Sequence, residues 1–301
     1  MKNTTYAALA VLLGVNISYA GGTALESLKT SVPPSVLSGA VLPEVPKACF
    51  AGSGPVAAAP VQWIAIPAGK FTRGSGSGEA EFEDAGPVHL IAIKTFEMSK
   101  TAVTVEQYAE CVINGGCTVP GTEAYCNWGK PGRELHPVNC VDWDQATRYA
   151  KYKGARLPSE SEWEYAATSG GKEQKYPWGN DEPTCDRAVM SGNAGYGCGT
   201  NTTMPVCSKP GGNTAQGLCD MAGNVWQWVQ DKYRDSYKGA PVDGSAFEGA
   251  GSRRLARGGS FGDSYASLLR ADYRYGRAPG YRGVNFGFRL VRSGPPYRLR
   301  R

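Results

Sequence analysis

The chain has 301 residues, 41% of them apolar, with 40 Gly, 20 Pro and 7 Trp, which supports a real core and favours a loop-rich globule over a helical bundle or a doubly wound sheet. Its net charge of +5 is unevenly placed: residues 253–301 hold twelve Arg against Asp263 and Asp272, a local +10 that leaves −5 for the rest. No basic helix or nucleic-acid motif accompanies that charge, so it points to an anionic partner or to internal pairing, and nucleic acid is not an expected partner.

Lys2, the apolar run from Tyr6 to Val15 and Ser18-Tyr19-Ala20 before Gly21 form the pattern of a secretory signal, residues 1–20. The apolar run is shorter than a membrane span needs, and no other segment is long enough, so no transmembrane span and a periplasmic or secreted location are expected. All nine cysteines follow that signal, and eight fall into local pairs by spacing: Cys111 with Cys117, Cys126 with Cys140, Cys185 with Cys198, and Cys207 with Cys219. Cys49 is left over. Zinc is the competing explanation, but there is no CxxC, and His89 and His136 lack neighbours at metal spacing.

Residues 21–60 read as a low-complexity arm or linker, the domain as 61–293 and residues 294–301 as a basic tail. Residues 62–66 predict a strand, a second starts at Gly69, and His89 to Phe96 predicts a strand pairing with the first. Three helices begin with a small polar cap followed three residues later by Glu or Gln: Thr104/Gln107, Asp142/Gln145 and Ser159/Glu162. In the third, Trp163 and Ala166-Ala167 are placed to face a core and Glu160 and Glu164 to face water. Short strands follow at 225–229, 255–258 and 286–291, giving an α+β class without a long sheet.

The segments RLPSESEWEYAA (156–167), GLCDMAGNVWQWVQD (217–231), RGGSF (257–261) and NFGFRLVR (285–292) occur in that order. Together with IPAGKFTRGSG and HPVNCVDWDQATRYA upstream, they resemble the formylglycine-generating enzyme, or sulfatase-modifying factor, superfamily. The resemblance covers Trp63 to Arg292 and implies a loop-rich fold related to the C-type-lectin-like arrangement. Generators of formylglycine carry two copper-binding cysteines after GGS. Asp263 and Leu268 hold those positions here, so copper and formylglycine generation are not expected, since soft thiolates select cuprous ion. Sulfoxide synthases of the superfamily need three histidines and are excluded by two. Secreted pigment-maturing oxidases that also lack the cysteine pair stay open.

The resemblance also implies a calcium site at Asp220, Gly223, Val225 and Gln227, weakened because an amide stands where the family has a glutamate. It further suggests a recognition surface like that of retroelement-diversified ligand-binding proteins, rich in tyrosine and asparagine. Trp226, Ser260, Asp263, Arg270, Tyr273, Arg274, Tyr275, Tyr281 and Asn285 are the ligand-binding candidates, for a protein or anionic ligand. Two functions follow: a binding or accessory module, or a cysteine-independent oxidase or modifying factor. No Ser-His-Asp set can be assembled.

Overall fold

A computed structural model describes residues 58–75 and 84–294. The leader, most of the 21–60 arm with Cys49, and all but the first residue of the basic tail lie outside the described residues.

Four short strands come first: β1 (Trp63–Ile66), β2 (Gly69–Arg73), β3 (His89–Ile93) and β4 (Phe96–Ser99). The stretch expected as one strand from His89 to Phe96 is two. β3 pairs with β2 from Gly69↔Ile93 to Arg73↔His89, and β4 is the strand that pairs with β1. The chain turns at Lys94-Thr95, and the break moves Phe96 and Met98 into the core beside Ile66.

Three helices follow, α1 (Val105–Ile113), α2 (Trp143–Tyr152) and α3 (Glu160–Ala167), each opened by a complete capping box at the expected residues. Each box satisfies two helix-end donors reciprocally, which fixes where the helix starts. The third helix departs from the sequence expectation. Glu160 and Glu164 are buried, at 2% and 3% exposure, because guanidinium groups meet them. Arg257 donates to Glu160 and to Glu164 at 2.6 Å each, Arg274 donates to Glu160 at 2.7 Å, and Arg73 pairs with Glu160. Tyr237 Oη donates to the same carboxylate at 3.1 Å. Burial opposes the Glu160 charge, yet Arg274, Arg73 and Arg257 hold its carboxyl well below the usual range.

The C-terminal half supplies β5 (Trp226–Lys232), β6 (Arg254–Arg257), β7 (Tyr275–Arg277), β8 (Phe286–Phe288) and β9 (Val291–Ser293). Strands β7-β6-β5-β8 form one sheet, with β8 parallel to β5, and β9 joins β4 in the sheet β1-β4-β9. One core cluster packs α1 and α2 against Trp226, Trp228, Phe286 and Phe288; a second packs α3 through Trp163 against β1 to β4.

All four spacing-based disulfides are present: Cys111–Cys117, Cys126–Cys140, Cys185–Cys198 and Cys207–Cys219. Among the described residues no helix is long and apolar enough to cross a membrane.

His136 is buried, with Nδ1 2.9 Å from Thr203 Oγ1 and Arg133 Nη1 3.2 Å away. Burial first, then Arg133, lowers its pKa to about 4. Its stabilising contribution is therefore complete above the unfolded value of about 6.5 and is lost as pH falls through about 4, at most about 3 kcal/mol. Chemical denaturation of His136→Gln is expected to show a flatter stability profile between those pH values. An unchanged slope would assign the acid sensitivity to other groups.

Candidate functional site

The double glycine Gly258-Gly259 carries the chain out of β6 with φ of +96° and +71°, a region that favours glycine. A Cβ on Gly258 would stand 2.8 Å from the Met221 carbonyl and 2.9 Å from the Trp163 ring, so the backbone runs tightly over α3 and turns Ser260 toward β8. Phe261 then anchors the loop: its N–H donates to Asn224 O at 3.0 Å and its carbonyl accepts from Gly197 at 2.8 Å.

Ser260 is the junction of the site. Its hydroxyl donates to Asp263 Oδ2 at 2.7 Å and accepts from Asn285 Nδ2 at 3.2 Å. Burial raises the Asp263 pKa, while hydrogen bonds from Ser260 and Trp226 partly restore the charged form. Behind the trio lies an aromatic wall: Trp226 meets Tyr275 at 4.8 Å and Tyr273 at 5.9 Å between ring centroids, and Phe286 meets Tyr281 at 5.1 Å. Arg277, which the sequence reading passed over, stacks on Tyr275 and Tyr281 at 4.3 and 5.5 Å. The alternation Tyr275-Gly276-Arg277 was its available signal. Tyr265, 73% exposed, was also missed.

Seven of the nine ligand-binding candidates therefore converge: Trp226, Ser260, Asp263, Tyr273, Tyr275, Tyr281 and Asn285. The two arginines do not. Arg274 is buried and belongs to the Glu160 network, with a further bond to Arg234 O at 2.7 Å. Arg270 faces Asp272 through two bonds of 2.9 and 2.7 Å. Leu268 packs against the core and offers no ligand atom.

The calcium expectation does not fit the donors. Gln227 is fully buried; its Oε1 accepts from Trp163 Nε1 at 2.9 Å and from Arg289 Nε at 2.6 Å, and its Nε2 donates to Asp220 O at 2.7 Å. Asp220 Oδ2 accepts from Cys207 N at 2.8 Å, and Arg289 Nη2 donates to Cys219 O at 2.6 Å. A guanidinium is bonded to both the Gln227 side chain and the backbone at 219–220, so the Gln227 oxygen and Asp220 Oδ2 of the expected set already accept hydrogen bonds. A hard cation would need those oxygens unengaged. Among the described residues the grouping of metal-ligand types is Glu123, Cys126 and Cys140, and its two sulfurs form a disulfide.

The fold and the site define a loop-rich α+β domain in which a hydroxyl, a carboxylate and an amide are hydrogen-bonded beside a cluster of aromatic rings. The chain matches the sulfatase-modifying factor enzyme 1-like domain over residues 53–294 and belongs to that family. It is 31% identical over 279 residues to the formylglycine-generating enzyme of Streptomyces coelicolor, covering 76% of this chain and 88% of the relative. It is 34% identical to the serine/threonine-protein kinase Pkn1 of Chlamydia trachomatis over 77% of this chain but spans 38% of that protein. Among solved structures, PvdO from Pseudomonas aeruginosa superposes with a TM-score of 0.66 at 33% identity, covering 77% of this chain and 94% of that one.

Proposed function

We propose that the protein is a cysteine-independent member of this family that works outside the cytoplasm as a binding or accessory factor, engaging a peptide or small polar ligand at Ser260 and Asp263. The observation that carries the reading is the Asp263–Ser260–Asn285 hydrogen-bonded trio against Trp226. All eight described cysteines are in disulfides, so the cleft works without a thiol, and Asp263 stands where the resemblance expects a thiolate. The disulfides also support an oxidising compartment.

The committed arginines redirect the expected ligand. With Arg274 internal and Arg270 paired, the site offers Asp263, the Arg277 guanidinium on Tyr275 and Tyr281, and hydrogen-bonding groups, which suit a polar group that carries both a donor and an acceptor. Asp263, made more basic by its burial, accepts a proton or a hydrogen bond from a ligand N–H or O–H, relayed by Ser260. Trp226, Tyr275 and Tyr281 supply rigid amphipathic area.

Asp263→Asn and Ser260→Ala are each expected to weaken capture of partners that the wild type retains from a native extract by about ten-fold, the scale of one buried hydrogen bond to a charged group. Lys172→Ala is the distant control. Undiminished capture by variants of unchanged melting temperature would overturn the assignment. Oxygen consumption by the disulfide-intact protein that survives Cys49→Ser would favour the alternative, a cysteine-independent oxidase.

A further inference from the structure

The outer face of α2 borders a cavity of about 690 Å³ whose wall includes Trp143, Thr147, Arg148, Lys151, Arg156 and Gln230. Thr147, Arg148 and Lys151 are three or four residues apart, or adjacent, on one helical face. Arg148 and Lys151 are exposed and have no ion pair among the described residues. Arg156 reaches in from the following loop, its guanidinium fork held by Glu162 through bonds of 2.7 and 2.6 Å. With Arg156 neutralised by Glu162, two cations, Arg148 and Lys151, face the cavity against a single carboxylate, Asp144. Thr147 lines the same wall, with its hydroxyl oxygen turned away from the cavity and buried.

At Arg156 and Gln230 this groove meets a second cavity of about 470 Å³. There the charges balance, Lys94 and Arg156 against Glu162 and Asp243, and Ser245 and Thr95 add short polar side chains. A cationic compartment continuous with a neutral, polar one matches a ligand with a charged end and a hydroxyl-rich body. Both volumes lie in the range of small-molecule sites.

We infer that the α2 groove is a second binding site, for a sugar-sized polyhydroxylated molecule bearing an oxyanion, with Arg148 and Lys151 on the oxyanion and the polar groups around Gln230 and Ser245 on the hydroxyl-rich body. The site shares no lining residue with the Ser260 cleft, so it stands independently of the function proposed there. A phosphate ester and a carboxylate are two sources of the same chemistry, and glucose 6-phosphate and glucuronate separate them.

Calorimetric titration of the mature, disulfide-intact protein is expected to give submillimolar binding of at least one of these two probes, about ten-fold tighter than glucose or inorganic phosphate. The double variant Arg148→Ala/Lys151→Ala should lose about ten-fold or more of that affinity without a change in melting temperature. Phosphate binding as tightly as the sugar phosphate would show an adventitious anion only. That result, or binding of neither acidic sugar, or binding untouched by the double variant, overturns the inference.

Discussion

Glu160→Gln is expected to cost about 3 to 5 kcal/mol of folding stability, the cost of leaving buried charge uncompensated. The carboxylate is the shared acceptor of Arg73, Arg257 and Arg274, all of them buried. Glu164 takes one bond from Arg257 and lies 3.8 Å from Arg73, and Asp84 lies 3.8 Å from Arg274, so these two carboxylates would remain against three guanidinium groups. An amide of the same shape removes the charge and sets an N–H donor against guanidinium donors, which makes the loss polar and separable from packing. For a domain of this size the melting temperature should fall by about 6 to 20 °C. The network is also acid-sensitive in a defined sense. The folded pKa of Glu160 is depressed, so its contribution is present above the ordinary glutamate range and is lost as pH falls toward the depressed value. Differential scanning calorimetry of the variant at neutral pH checks the prediction, and a loss below about 1 kcal/mol would mean that the three arginines are solvated or paired in some other way.

Reduction of the four disulfides is the second large effect. Their loops are 6, 14, 13 and 12 residues long in sequence separation, and on a loop-entropy basis each contributes about 2 to 3 kcal/mol. Together that approaches the whole stability of an ordinary domain, about 5 to 15 kcal/mol. Two of the bridges also brace the cleft's surroundings. Cys140 N–H bonds to Gly283 O at 3.1 Å, two residues before Asn285, and Cys219 lies beside Asp220 and the Arg289 guanidinium. Mild reduction in urea should therefore shift the unfolding midpoint to near zero denaturant. A reduced protein that keeps its near-ultraviolet circular dichroism and its midpoint would show that the core alone suffices.

How much was legible in the sequence depended on the range of the interaction. The capping boxes at Thr104, Asp142 and Ser159 are written within four residues, and the structure has all three. The disulfide partners, at most 14 residues apart, were readable from spacing. Glu160 and Glu164 were misplaced because their partner Arg257 lies 97 and 93 residues away, and a helix face that meets an arginine reads like one that meets water. For the same reason Arg274 was grouped with the cleft: neighbouring Tyr273 and Tyr275 turn to Trp226, while the alternation of the chain sends Arg274 to the opposite side. Gln227 looked like a weakened cation ligand because only the fold brings Arg289 and Trp163 to its amide. The break between β3 and β4 has no glycine or proline to announce it.

The pairing of β9 with β4, from Phe96↔Ser293 to Met98↔Val291, has a bearing on the order of events during synthesis. The edge of the first sheet, and the guanidinium of Arg289 that ties Ser99 to Cys219, are supplied by the last stretch of the described chain. A nascent polypeptide holding everything up to β7 can already join β2 to α3 and α3 to β6 through the Glu160 network, but it still lacks β8 and β9, and the first sheet waits for a pairing across nearly 200 residues. The third strand of that sheet is thus a late-forming element, and amides of β4 that face β9 should gain their exchange protection after those that face β1.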